Sequence, residues 1–268
     1  MLAIGMCHSN KDIVNADILS NRSYGPDERN KMDVFLPLRR DSSTAMIMLV
    51  HGGAWIVGNK SSWPADIING LLKQGFAVSC INYRYASGDF HRQMEDMQMA
   101  SRYVHVKSRE WKTARDKLGM VGVSAGGHLA LLYAHAYDSA GYVKAVVSLA
   151  GPTDLSDPLL HQFLQHYGIG FAVKKFLGGS QQDKPKVYID ASPIYHLSHV
   201  PCLFMNGQKD DLVPAVQAFR MHDSLAVHGI PTDTIYFANA GHYIFGPKNV
   251  NDGQITDRIS RWMHTYMR

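Results

Sequence analysis

The chain has 268 residues, 46% of them hydrophobic and 19% charged, with a formal net charge of +4. This balance suits one globular α/β unit, and a positive charge so mild and so scattered excludes nucleic acid as the partner. Three cysteines, Cys7, Cys80 and Cys202, supply neither a disulfide framework nor a C-x-x-C metal pair, and no apolar run reaches the ~18 residues of a membrane span.

Met1 to Cys7 is apolar but short, with no basic stretch before it, so it makes a poor signal peptide and a cytoplasmic protein is expected. Residues 32–38 (MDVFLPL) and 45–51 (AMIMLVH) predict strands, each short, apolar and closed by Pro or Gly. Residues 62–75 predict a helix stopped by Gly75, 76–83 (FAVSCINY) a third strand, and roughly 89–110 a long helix. Then follow a strand at 118–123 (LGMVGV), an Ala- and Leu-rich helix at 125–138, and a strand at 142–150. Region 153–198 is less regular and predicts two or three short helices. Residues 201–206, 214–229 and 232–238 repeat strand, helix, strand, and 253–267 predict a closing amphipathic helix. Strands alternating with helices imply a mostly parallel central sheet with helices on both faces. In such sheets functional residues fall just after the strands.

Ser124 stands in Gly122-Val123-Ser124-Ala125-Gly126, a G-x-S-x-G motif between a predicted strand and a predicted helix. Chance can supply the motif in a Gly-containing turn, but the strand–turn–helix setting is the one it requires. Small neighbours permit a tight turn that lifts the serine hydroxyl above the sheet. The helix that starts there aims free N–H groups and its positive end at the same spot. Ala125 is the candidate amide donor to an oxyanion. His51-Gly52-Gly53-Ala54-Trp55, after the second predicted strand, resembles the HGGG-type oxyanion loop of esterases and lipases. Gly52 and Gly53 are the candidate donors, with Ala54 at the edge. His51 is read as a brace for the loop rather than a general base. Trp55 is a candidate pocket wall or a core residue.

An acid and a base are sought after later strands. Gly207-Gln208-Lys209-Asp210-Asp211-Leu212-Val213-Pro214 follows the strand PCLFMN, and its G-x-x-D-x-x-V-P spacing selects Asp210 over Asp211. Asp154, also past a strand, is a third candidate. Asn239-Ala240-Gly241-His242 follows the strand TIYFA, and that position, not the residue type, selects His242 from 14 histidines. A carboxylate there can orient the imidazole, and the imidazole can take the serine's proton. The order Ser124, Asp210, His242 differs from the other common serine-hydrolase orders.

On these pieces (MDVFLP, HGGAW with GNKSSW after it, INYR, GVSAGGHLA, ASPIYHL, GQKDDLVP and AGH) the chain from about residue 31 resembles bacterial carboxylesterases of the α/β-hydrolase superfamily, near the hormone-sensitive-lipase-like and feruloyl-esterase-like groups. The resemblance implies an α/β-hydrolase fold over 1–268 and hydrolysis of short-acyl esters without a metal or cofactor. It also implies a small-molecule ester as partner, for a monomer or homodimer. Asn206 and Tyr243-Ile244-Phe245 depart from the common pattern, and Tyr243 is a candidate substrate contact. The HGG-x-W loop also looks like that of kynurenine formamidases, which makes an arylformamidase the alternative reading. A non-catalytic hydrolase fold used for binding is the other. Leu159, Leu160, Phe163, Leu164, Phe171 and Phe176 of 153–198 are read as a partial cap over the acyl site or as core helices, with the cap preferred.

Overall fold

The computed structural model describes residues 8–245 and 252–267, so Cys7 and the apolar start lie outside the described residues. In chain order the elements are β1 (Ala16–Ser23), β2 (Lys31–Pro37), β3 (Met46–Val50), α1 (Ala65–Lys73), β4 (Ala77–Ile81), α2 (His91–Trp111), β5 (Leu118–Val123), α3 (Ala125–Leu132), β6 (Val143–Leu149), α4 (Pro158–His166), α5 (Gly170–Leu177), α6 (Pro185–Asp190), β7 (Cys202–Gly207), α7 (Val216–Val227), β8 (Thr232–Phe237) and α8 (Asp252–Tyr266).

The strands form one sheet in the order β1-β2-β4-β3-β5-β6-β7-β8. β2 pairs antiparallel with both β1 and β4, and the pairs from β4 onward are parallel. Parallel strands covered on both faces must be apolar throughout, and β3, β4, β5 and β7 are buried at every position. Their side chains alternate between two cores: Met46, Met48 and Val50 pack on one face of the sheet, Ile47 and Leu49 on the other. α1 and α8 cover the second face through Ile67, Leu71, Ile255, Ile259 and Met263. α2, α3 and α7 cover the first, joined there by Leu160, Phe176 and Tyr188 from α4, α5 and α6. Each such Leu, Ile, Met or Phe withdrawn from water contributes about 1.5–3 kcal/mol before chain entropy is charged against it.

The structure shifts several predicted boundaries. β1 falls where the sequence pattern predicts no element. It is a half-exposed edge strand whose register slips between Leu19 and Arg22, so clean alternation is absent. The helix predicted over 62–75 begins only at Ala65. Trp63 precedes Pro64 and is held extended, which detaches the 3₁₀ turn Lys60–Ser62 from α1. The helix predicted over 125–138 is α-helical only to Leu132 and then widens into a π turn over Tyr133–Tyr137. Asp138 follows, and its carboxylate accepts the Tyr142 and Val143 amides at 3.1 and 2.7 Å, steering the chain into β6.

Two glycines mark where packing is tightest. A Cβ at Gly126 would lie 2.2 Å from the Val50 carbonyl oxygen, which is backbone and cannot yield. A Cβ at Gly119 would lie 2.5 Å from Met263 Sδ, the adaptable end of a flexible side chain. We therefore expect Gly126→Ala to cost about 3 kcal/mol or more and Gly119→Ala about 1 kcal/mol. Urea midpoints of the two variants check this, and the reverse order would contradict it.

Candidate active site

The end of β5, the turn after it and the start of α3 build the first part of the site. Ser124 adopts φ 53° and ψ −123°, a conformation that L residues avoid. Such strain costs about 1–3 kcal/mol and persists only where neighbours over-determine it. They do so here: the Ser124 amide donates to the Leu149 oxygen at 2.8 Å, and its own carbonyl accepts the His128 amide at 3.0 Å. A side chain at Gly122 would strike the Gly126 carbonyl, so the turn closes only with glycine at its entry.

Ser124, Asp210 and His242, three separate pieces of sequence, meet in one hydrogen-bonded chain. His242 Nε2 lies 2.9 Å from Ser124 Oγ. Its Nδ1 lies 2.9 and 3.0 Å from the two Asp210 carboxylate oxygens. Asp210 Oδ1 also accepts the Leu212 and Val213 amides, both at 2.9 Å. The imidazole Nδ1–H thus has a carboxylate to donate to, which leaves Nε2 as the lone-pair nitrogen facing the hydroxyl. The competing carboxylates are engaged elsewhere. Asp211 accepts the Tyr167 hydroxyl at 2.5 Å, and Asp154 binds Ser156 and Tyr195. His222 and His228 bond to Asp223 and to the Ser224 carbonyl on and beside α7. Among the described residues, no cluster of three His, Cys, Asp or Glu side chains could hold a metal ion.

The loop after β3 wraps the other side of Ser124. Gly53, Ala54 and Trp55 all have positive φ, at 112°, 48° and 62°. Gly53 and Ala125 stand on the wall of the pocket that holds Ser124 and His242, with Ala54 beside them. Gly52 lies behind that wall, close enough that a Cβ there would be 3.3 Å from Ser124 Cβ. His51 is fully buried and stacked on Tyr83 with ring centroids 4.2 Å apart. Its Nδ1–H donates to the Gly52 carbonyl at 2.6 Å, and burial pushes its pKa down to about 3. It is a neutral strut for the loop. The Tyr83 hydroxyl donates to the His51 carbonyl at 3.0 Å, and Arg29 and Tyr85 both donate to the Gly58 carbonyl.

The remaining pocket wall is apolar. Leu160 and Leu164 of α4, Ile169, Leu212, Val213 and Pro152 line it, together with Trp55 and Tyr243. Trp55 is both wall and core, being 3% exposed and stacked on Phe176 at 4.7 Å. Tyr243 sets its ring edge-on to His242, and burial followed by the nearby Asp210 charge raises its pKa, so the hydroxyl keeps its proton. Leu160 and Leu164 carried a sequence signal as apolar residues of 153–198. Val213 stood in the G-x-x-D-x-x-V-P pattern, whereas Ile169 and His128 carried no signal of a role here, because those roles arise from neighbours remote in sequence.

The pattern of the BD-FAE family matches residues 32–225, most of the chain. The chain belongs to the BD-FAE family. Among curated proteins, this BD-FAE chain is 25% identical over 236 residues to a probable isoprenylcysteine alpha-carbonyl methylesterase of Oryza sativa subsp. japonica, covering 82% of this chain and 55% of that protein. It is 26% identical over 237 residues to esterase LipC of Mycobacterium tuberculosis, covering 82% and 58%. The chain thus spans little more than half the length of these relatives. A solved truncated carbohydrate esterase from gut microbiota superposes with a TM-score of 0.81 at 21% identity, covering 96% of this chain and 99% of that one. Esterase B from Lactobacillus Rhamnosis gives 0.74 at 18% identity, covering 94% and 87%. With the sheet order above, these likenesses identify the fold as α/β-hydrolase.

His51 and His128 carry a consequence for stability. Both are fully buried and uncharged, with pKa values lowered by burial from 6.5 to about 3 and about 4. Unfolded, each binds a proton at the ordinary value, so between pH 6.5 and 4 the unfolded chain holds more protons. Acid therefore favours unfolding, by up to about 1.4 kcal/mol per pH unit per group, and the term vanishes above pH 6.5. We expect the urea midpoint to fall as pH drops from 6.5 to 4.5; a midpoint level across that range would contradict it.

Proposed function

We propose that this chain is a carboxylic ester hydrolase with Ser124 as nucleophile, His242 as general base and acid, and Asp210 as its orienting carboxylate. The observation that carries the reading is the chain of hydrogen bonds from Ser124 Oγ through His242 to Asp210, with links of 2.9 Å, at the wall of an apolar pocket. The names of the relatives as esterases support the same class of chemistry.

In the first step Ser124 Oγ attacks the ester carbonyl as His242 Nε2 takes its proton. The carbonyl oxygen becomes an oxyanion beside the amides of Gly53 and Ala125, which stand on the pocket wall and stabilise it as fixed N–H donors without reorganising. The C–O bond to the alcohol then breaks, and His242 returns the proton to the leaving oxygen. Water repeats the sequence on the acyl-enzyme and releases the acid. Asp210 holds the imidazole in the Nδ1–H tautomer and balances its charge while it is protonated.

Leu160, Leu164 and Ile169 close the pocket on the side of α4 and the turn before α5, and the cavity they help bound is small, about 30 Å³. A pocket so bounded favours a short acyl group, with 153–198 acting as a partial cap. No helix among the described residues is long and apolar enough to cross a membrane.

Ser124→Ala is expected to lose at least about a thousandfold in kcat on p-nitrophenyl acetate, and Asp210→Asn about ten-thousandfold by favouring the wrong imidazole tautomer. Parent-like turnover by Ser124→Ala would end the reading. A series from acetyl to decanoyl esters should decline with length, and faster turnover of N-formylkynurenine than of any ester would reassign the substrate to a formamide.

A further inference from the structure

We infer that His128 is a positioning residue for the oxyanion loop, acting through the indole N–H of Trp55; this rests on the hydrolase reading above. His128 is wholly buried and does not line the pocket, so no substrate reaches it. Its contacts reach three separate parts of the site. Trp55 Nε1–H donates to His128 Nδ1 at 3.3 Å. His128 Nε2–H donates to the Ala191 carbonyl at 2.7 Å. Its backbone amide donates to the Ser124 carbonyl at 3.0 Å. Ala191 is followed by Ser192, whose hydroxyl donates to the Tyr188 carbonyl at 2.6 Å and accepts the Leu155 amide at 2.7 Å. The imidazole therefore links the loop after β3 to the segment behind α6, and the backbone of the same residue is bonded to the turn that carries Ser124.

The loop needs such an anchor. Gly53, Ala54 and Trp55 hold positive φ in succession, and two of the three carry side chains that disfavour it. Inside the loop, the Ile56 and Val57 amides converge on the Gly53 carbonyl, which orients that peptide but does not hold the arch against the rest of the protein. Outside it, Ala86 donates to the Trp55 carbonyl at 2.9 Å, and Phe176 stacks on the indole. Neither contact fixes the rotation of the indole within its plane. The N–H bond to His128 does, and it sets where the Trp55 backbone, and so the Gly53 and Ala54 amides, can stand. The required tautomer is fixed as well, since a carbonyl partner at Nε2 leaves Nδ1 as the acceptor. Burial holds the pKa of His128 to about 4, so that acceptor persists through the neutral range.

The test is a double-mutant cycle on kcat, normalised to the serine titrated by a fluorophosphonate. Trp55→Phe keeps an aromatic ring against Phe176 and removes the N–H together with part of the indole. His128→Leu removes the acceptor. Each should lower kcat ten- to a hundredfold with KM changed less than threefold, and the double variant should be no worse than the poorer single one. His128→Gln, which retains an acceptor and a donor, should recover part of the loss. Singles within twofold of the parent, or effects that multiply in the double variant, would overturn the inference. The exchange rate of the Trp55 indole N–H, read by NMR, should rise in His128→Leu, and an unchanged rate overturns the inference alone. Absence of ester turnover in the parent chain overturns the hydrolase reading and the inference with it.

Discussion

The end of β3 and the first turn of α3 touch so closely at Gly126 that a single added carbon would meet the Val50 carbonyl at 2.2 Å. The rest of the site depends on that contact. β3 and β5 are neighbours in the sheet, so the loops leaving their ends emerge side by side. Close approach of α3 turns this proximity into contact between the Gly52–Gly53 backbone and Ser124. A bulkier turn would push the serine away from the loop amides, and hydrogen bonds lose their value within a fraction of an ångström. The strain in Ser124, Ala54 and Trp55 is the cost of bringing two backbones together at one point, offset by the burial of the strands beneath.

The second constraint is the carboxylate of Asp210, whose side chain is wholly shielded from solvent. A buried charge is stable only when donors surround it. The Leu212 and Val213 amides and His242 supply those donors, and two of the three come from the aspartate's own turn. That same turn carries Leu212 and Val213 into the pocket wall, so seating the acid and shaping the cavity are one event. Asp211, one residue on, is exposed and accepts the Tyr167 hydroxyl.

Legibility followed the range of the interactions involved. Buried strands announce themselves as short apolar runs, and the six from β2 to β7 were readable for that reason. β1 was not, because an edge strand with one wet face and a register slip has no single period. The break after Leu132 was equally silent, since an Ala- and Leu-rich run suits an α-helix and gives no local cue for a π turn. Ser124, Asp210 and His242 could be picked out because each follows a strand, and strand ends share one side of a parallel sheet. Ile169 and His128 could not, for one is defined by the pocket across from it and the other by Trp55 and Ala191.

The sequence by itself determined the alternation of strands and helices, the tight turn at Ser124 and the glycines of the loop after β3. These depend on local steric rules and on periodicity, which act over a few residues. Only the tertiary structure showed what engages the other two carboxylates, Asp211 with Tyr167 and Asp154 with Ser156 and Tyr195. It also decided that His51 is a neutral strut, that Trp55 serves wall and core together, and that α4 and Ile169 line the pocket. Those outcomes turn on distances between residues tens of positions apart, and such distances exist only once the sheet has ordered its strands and both faces have been covered.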